Sequence, residues 1–190
     1  MEQKIENSKK VIRGAIKKFG TEKIAVAFTG GKDSTLLLWL VKNVCEEENI
    51  PLPKILFINE GHVFEEFYGF VTKLTEEWNL DVIEVKNEDV LKQIEKVGDV
   101  VKVEKLSARN KKELKAINFE EDEFSFERES CVGNHLMKTV ALNMAIEKYS
   151  FKAVISGIRW DEQKARVEET YVSVRKNPNH VRIHPILHFK

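Results

Sequence analysis

Apolar residues recur at two different spacings along this chain. Between residues 3 and 19, Ile5, Ile12, Ala15, Ile16 and Phe19 fall near helical spacing and Gly20 follows as a stop, which predicts an amphipathic helix. Ile24-Ala25-Val26-Ala27-Phe28 is instead an unbroken apolar run, the pattern of a parallel strand covered on both faces. After a polar, glycine-rich stretch, Leu36, Leu37, Leu38, Leu40 and Val41 read as a buried helix reaching about Glu47. The alternation then repeats. Pro51 and Pro53 precede a strand over Ile55–Ile58, and a helix carries Phe64, Phe67, Phe70, Val71 and Leu74. A third strand covers Asp81–Val85 and a further helix Glu88–Lys96; later a helix over Leu136–Tyr149 leads into a strand over Lys152–Ser156. Strands alternating with helices predict an α/β fold, doubly wound around a mostly parallel sheet with right-handed crossovers.

The stretch from Gly98 to Glu129 breaks this rhythm. Phe119–Glu129 carries Glu120, Glu121, Asp122, Glu123, Glu127 and Glu129 against one base, Arg128. Charge blocks usually stay solvated, so a solvated and partly mobile insertion is expected there. The interleaved Phe119, Phe124 and Phe126 leave a partner-docking or lid role open. The full 190 residues suit one domain, 1–190, burying roughly two-thirds of its unfolded surface.

Thirty-one basic and thirty-one acidic residues cancel, so no global field draws the chain to nucleic acid or membrane. No apolar run approaches the roughly 18 residues of a membrane span, and Met1–Lys10 is polar without a signal-peptide core. Cys45 and Cys131 form neither a CxxC pair nor a disulfide framework, which fits a cytoplasmic protein. Cys45 reads as structural; Cys131 reads as a small buried filler or a thiol near the site.

Candidate chemistry concentrates at Thr29-Gly30-Gly31-Lys32-Asp33-Ser34-Thr35, between the first interior strand and its helix. Adjacent glycines let a backbone turn tightly and bring N–H groups to phosphate oxygens, and the following helix N-terminus favours negative charge at the same spot. Lys32 can neutralise a phosphate, and the Ser34 and Thr35 hydroxyls can donate to one. A Walker A loop is excluded, since Val26 fills the first glycine slot and Asp33 follows Lys32; no G-x-G-x-x-G is present. The second constellation follows the strand Lys152–Ser156: Gly157-Ile158-Arg159-Trp160-Asp161-Glu162-Gln163-Lys164-Ala165-Arg166. Gly157 lets the chain leave the strand tightly, where ligands sit in open α/β sheets. Arg159, Lys164 and Arg166 place three cations within eight residues, a clamp suited to phosphate or sulfate. Trp160 either stacks on a base or packs, and His62 either lines the site or sits in a surface turn.

The first constellation resembles the S-G-G-x-D-S signature of the PP-loop ATP pyrophosphatases, with Thr29 in place of serine. The second resembles the Gly-x-Arg-x-x-Glu-x-x-x-Arg segment of the phosphoadenylyl-sulfate reductase family and of the ATP sulfurylase small catalytic subunit. Arg159 to Arg166 is closer to the sulfurylase version, Arg-Arg-Asp-Glu-Glu-Lys-Ser-Arg. His135-Leu136-Met137-Lys138-Thr139 is similar to that subunit's His-x-x-Met-Lys-Thr helix, and Arg182 to Leu187 resembles a shared Arg-x-x-Pro-Leu segment. After the second strand the family has Asp-Thr-Gly with a later Phe and Glu, where this chain has Asn59-Glu60-Gly61, Phe64 and Glu66.

The resemblance implies an adenine nucleotide alpha hydrolase-like fold and ATP as substrate, with Mg²⁺. The expected reaction is adenylyl transfer at the α-phosphate with release of pyrophosphate, sulfate plus ATP giving adenylyl sulfate. Lys32, Arg159 and Arg166 would be catalytic; Thr29 to Thr35, Asn59, Gly61, Gly157, Glu162 and Lys164 would bind the nucleotide. No resident metal is expected. His135 is either a donor to the sulfuryl oxyanion or a helix-cap residue. A GTPase partner subunit is implied, with the acidic insertion as a candidate docking surface. The alternatives are a thioredoxin-dependent reductase, whose nucleophile is a C-terminal cysteine absent after Cys131, and a regulatory module that binds ATP without turnover. FAD synthesis and tRNA thiolation are further PP-loop chemistries, the latter disfavoured by the missing basic stripe. Relatives continue past the Pro-Leu segment, so a C-terminal extension is expected to be absent from this chain.

Overall fold

A computed structural model describes residues 2–61, 65–161 and 169–189. Its elements run α1 (Glu2–Phe19), β1 (Ile24–Phe28), α2 (Lys32–Glu47), β2 (Lys54–Ile58), α3 (Glu65–Glu77), β3 (Val82–Val85) and α4 (Glu88–Leu91). They continue with β4 (Val100–Lys102), α5 (Ala108–Ala116), β5 (Glu123–Ser125), α6 (Cys131–Asn134), α7 (Ala141–Tyr149), β6 (Ala153–Ile155), β7 (Val172–Arg175) and β8 (His180–Ile183). A π-helical stretch, His135–Val140, joins α6 to α7 without a break.

The main sheet has the order β3-β2-β1-β6-β8-β7, parallel throughout except for β7 against β8. This is the doubly wound, mostly parallel α/β arrangement that the alternation predicts. Because successive strand residues point to opposite faces, β1 serves two cores at once. Ile24, Val26 and Phe28 pack with α1, α2 and α3, while Ala25 and Ala27 meet α7. Leu37, Leu38, Leu40, Val41 and Val44 of α2 are fully buried, each stabilising the fold by about 1.5–3 kcal/mol.

Three expectations change. The helix expected over Glu88–Lys96 ends at Leu91. Past that point the Gln93 side chain pairs with the backbone of Lys102, through Oε1 to its N–H at 3.0 Å and Nε2 to its carbonyl at 3.4 Å. The β7–β8 hairpin has no counterpart in the sequence expectations. The insertion is folded: β4 and β5 form a two-stranded antiparallel sheet, α5 follows an N-cap at Ser107, and Phe124 and Phe126 are buried. They join Val101, Leu106, Leu114, Leu136 and Met137 in a third core. The acidic residues alternate outward from these phenylalanines, so the charge block is the wet face of a small packed unit and Phe124 and Phe126 offer no docking surface.

Candidate functional site

In this sheet the chain runs from β1 outward to β2 and β3, then returns to the other side of β1 through β6 and β8. The carboxyl ends of β1 and β6 therefore form the switch point at which open α/β sheets leave a crevice. A cleft of about 440 Å³ opens there.

One wall is the loop after β1. Gly30 has φ 74°, and a β-carbon on it would stand 2.2 Å from Cζ of Phe67, so α3 packs directly against the turn. Gly31 caps α2 in an extended conformation (φ −72°, ψ 162°), and a β-carbon there would meet only Thr29 Oγ1, at 3.7 Å. The Ser34 hydroxyl ties the loop together. It donates to the Gly31 carbonyl at 2.9 Å and accepts from the Thr29 N–H at 3.3 Å, with Thr29 Oγ1 also at 3.3 Å. Thr35 Oγ1 donates to the same Gly31 carbonyl at 3.0 Å. The hydroxyls thus hold the loop in shape, and the first turn of α2 lines the cleft with N–H groups that have no intrahelical acceptor.

The facing wall is the exit of β6, where Ser156, Gly157 and Ile158 line the cleft. A β-carbon at Gly157 would lie 3.1 Å from the Asp33 carbonyl and 3.2 Å from the Ser34 nitrogen. Glycine there is a matter of room: backbone rests on backbone. Arg159 reinforces the contact, donating from Nη1 to Asp33 Oδ1 at 3.0 Å and from Nε to Asp161 Oδ1 at 3.1 Å. The two constellations are therefore one assembly, joined by Asp33.

Two further cations reach the cleft, Arg182 from β8 and Lys138 from the π-helical stretch. Burial, helped by the like charge of Arg175 and opposed by Glu169, pulls the Arg182 guanidinium below the usual arginine range. Its Nε is buried with no hydrogen-bond partner among the described residues. Lys138 pairs with Glu60 at 3.2 Å and reaches Glu129 at 4.0 Å. Three lining cations, Lys32, Lys138 and Arg182, thus face two lining carboxylates, Asp33 and Glu60, above a floor that includes Ala27, Ile58, Leu142 and Val154. Such a cleft suits an anionic ligand with an apolar portion.

Of the residues expected to serve the site, Thr29, Gly31, Lys32, Asp33, Ser34 and Gly157 line the cleft. Gly30, Thr35 and Arg159 support that wall from beside it. Asn59 is buried and turned away: its amide donates to Glu84 at 2.8 Å and its oxygen accepts from the Gly61 N–H at 2.9 Å. Gly61 packs toward Leu91 and Phe126, and the neighbouring Glu60 takes the lining position. Glu162, Lys164 and Arg166 lie outside the described residues, as do His62 and Phe64.

His135 pairs with Glu113 at 3.1 Å and lines a separate hollow with Arg109 and Lys176. Cys131 is exposed, not the buried filler expected, because it opens α6 under a Ser130 cap that accepts from the Gly133 N–H at 3.0 Å. Cys45 is buried, which pushes its thiol up to about 11. Trp160 packs edge-on against His188 and donates from Nε1 to the Glu169 carbonyl at 2.7 Å. Lys138, Arg182, Glu60 and Ser156 were missed, although Lys138 and Arg182 sit in the two segments whose resemblance to relatives is noted above. Among the described residues there is no cluster of three or more metal-ligating side chains, and no helix is long and apolar enough to cross a membrane.

The chain is similar to known proteins in sequence and in fold. The chain is 28% identical over 165 residues to sulfate adenylyltransferase subunit 2 of Rhizobium meliloti, covering 87% of this chain and 45% of that protein. It is 28% identical to the protein of the same name from Stutzerimonas stutzeri, covering 44% of it. The chain thus spans under half the length of these relatives. In fold it is similar to Candida glabrata FMN adenylyltransferase in complex with FMN and the ATP analogue AMPCPP: TM-score 0.65, 18% identity, 99% of this chain and 53% of that one. It is also similar to phosphoadenylyl-sulfate reductase from Candida auris in a phosphate complex: TM-score 0.61, 17% identity, 97% of this chain and 74% of that one. The relatives and structural neighbours are enzymes that handle nucleotides. The phosphoadenosine phosphosulfate reductase domain model matches residues 23–190, and the chain belongs to that family.

Proposed function

We propose that this chain binds ATP in the cleft between β1 and β6 and transfers its adenylyl group to an oxyanion, sulfate first among them. The observation that carries the reading is the joining of two anion-suited walls across one cleft, with Gly157 against the backbone of Asp33 and Ser34. The β- and γ-phosphates would lie on Gly31 to Ser34 with Lys32, at the first turn of α2. Sulfate would stand opposite them, near Arg182 on β8. A sulfate oxygen attacks the α-phosphorus, the bond to the bridging oxygen breaks, and pyrophosphate leaves with that electron pair. Sulfate is already an anion, so no general base is needed, and catalysis is positioning and charge stabilisation.

Mg²⁺ fits this chemistry through the nucleotide's phosphates and one or two carboxylates, for which Asp33 and Glu60 are the lining candidates. When bound it would neutralise the charge that develops on the leaving pyrophosphate. A partner subunit, a GTPase by the resemblance, belongs to the same reading, as does a cytoplasmic location. The test is pyrophosphate release from Mg-ATP with sulfate, selenate, phosphate and FMN as acceptors, with adenylyl sulfate assayed directly. Sulfate-dependent release with matching adenylyl sulfate supports the reading. Release indifferent to sulfate overturns the acceptor, and ATP binding without release from any acceptor replaces the enzyme with a binding module.

A further inference from the structure

Behind the β6 wall lies a polar relay that the proposed chemistry does not use. Val154 is in register with Arg182 across the parallel β6–β8 pair, and both line the cleft. Two residues further along each strand stand Ser156 and His184, on the same face by the period of the strand. The Ser156 N–H continues the ladder to the Ile183 carbonyl at 2.9 Å, while its side chain borders the cleft. His184 is fully buried. Its Nδ1 is 2.9 Å from Ser156 Oγ. On the ring's other side, Nε2 lies 3.5 Å from Ser173 Oγ and 3.7 Å from the Glu169 carboxylate, which also takes Arg175.

A carboxylate beside Nε2 favours the tautomer that carries its proton there, since the ring N–H then faces negative charge. Nδ1 is then left as an acceptor, and the one hydroxyl proton of Ser156 goes to it. Resting on the nucleotide reading above, we infer that His184 is a positioning residue: it fixes the Ser156 hydroxyl so that its oxygen lone pairs face the cleft and accept a donor from the bound nucleotide, a ribose hydroxyl or the base amino group. Arg182, two residues before His184 on β8, supplies the neighbouring contact for an anionic group. The wall is thereby divided. A guanidinium receives charge, and one step along an oriented oxygen receives a neutral donor. A serine hydroxyl free to rotate would instead donate to any phosphate oxygen within reach and would not discriminate.

The test pairs a measurement on the unaltered protein with a mutant cycle. Long-range ¹H–¹⁵N spectra of the wild-type chain should show His184 protonated at Nε2, with an Nδ1 resonance that moves on adding AMPCPP. That movement should vanish in Ser156→Ala. A His184 ring protonated at Nδ1 alone, or a resonance indifferent to the nucleotide, overturns the inference. In calorimetry, Ser156→Ala and His184→Phe should each weaken ATP binding roughly 2- to 12-fold, the value of one neutral hydrogen bond. The double variant should be no weaker than Ser156→Ala alone, because the histidine acts through the serine. His184→Asn, whose side-chain oxygen can stand near the position of Nδ1, should recover binding to within about twofold. Effects that multiply, or a folded His184→Phe that binds as wild type, refute the role while leaving the nucleotide cleft intact. Failure of wild-type protein to bind ATP refutes the cleft reading and this role together.

Discussion

Gly30 and Gly31 are adjacent in one motif, yet the structure gives them unrelated reasons for being glycine, and substituting each by alanine separates stability from binding. At Gly31 the backbone sits at φ −72° and ψ 162°, a conformation alanine adopts freely, and the added methyl would meet only Thr29 Oγ1 at 3.7 Å. Reduced freedom of the unfolded chain stabilises by about 0.4–1 kcal/mol, and the poorer N-cap costs about the same. The net change is within about 1 kcal/mol, or a Tm shift below roughly 4 °C at this size. Gly30 behaves otherwise. Its φ of 74° costs alanine about 1–2 kcal/mol, and the methyl would fall 2.2 Å from Phe67 Cζ, where overpacking adds about 1–3 kcal/mol. Gly30→Ala should therefore lower Tm by several degrees. ATP binding should reverse the ranking for the two variants relative to their stability. The Gly31 methyl projects from a residue that lines the cleft, so it would hold a phosphate off the first-turn N–H groups. Loss of one hydrogen bond to a charged group, about 1.5–3 kcal/mol, corresponds to roughly 10- to 150-fold weaker binding. Scanning calorimetry and titration calorimetry with Mg-ATP measure both quantities. A Gly31→Ala protein that keeps its Tm and binds ATP within threefold of wild type would refute the placement of phosphate on this loop.

Two further outcomes concern the scaffold. Burial raises the Cys45 thiol from 9.0 to about 11, so the unfolded chain releases that proton first as pH rises. Stability should fall between pH 9 and about 11, by roughly 2–3 kcal/mol if the full shift is realised, and urea melts of Cys45→Ala should lack this slope. Phe126 is fully buried in the core beneath the insertion, so Phe126→Ala should cost about 3–5 kcal/mol in urea denaturation. A cost below about 0.5 kcal/mol, the value for a surface position, would return that segment to the solvated state its charges suggest.

Local pattern reached as far as local causes did. The strand Ile24–Phe28 and the helix ending at Glu47 are read from the sequence with the bounds the structure gives, because an unbroken apolar run and a glycine turn leave little choice. Gly157 was legible for the same reason, although its need for room, rather than for an unusual φ, came only from the packing. Arg182 was not legible as a site residue. It lines the cleft because β8 lies beside β6, and the neighbour order of strands separated by a long stretch of chain is a tertiary fact. The β7–β8 strands have only four residues each and alternate apolar with polar side chains, too short a pattern to stand out from loop. Charge misled in the insertion. Glu123, Phe124, Ser125 and Phe126 alternate exposed and buried positions at period two, and a count of carboxylates hides that alternation.

The same geometry reorders the cations. Sequence spacing makes Arg159 the natural anion clamp, but its guanidinium is engaged by Asp33 and Asp161. Drawing it to a ligand would cost those bonds and would leave Asp33, on the cleft wall, without its compensating charge. Lys138 is similarly held by Glu60. Arg182 has no ion pair of this kind among the described residues, and its Nε is buried without a hydrogen-bond partner. Placing an anion near it would break no ion pair of the kind that holds Arg159 and Lys138 and would relieve a desolvated charge. Arg159 is then better understood as the tie that keeps the β6 exit against the first turn of α2. On this account Arg182→Gln should weaken binding of the anionic ligand more than Arg159→Gln does. Arg159→Gln should act chiefly by loosening the contact at Gly157, with a fall in Tm that Arg182→Gln does not share, and equal Tm losses in the two variants would contradict the assignment.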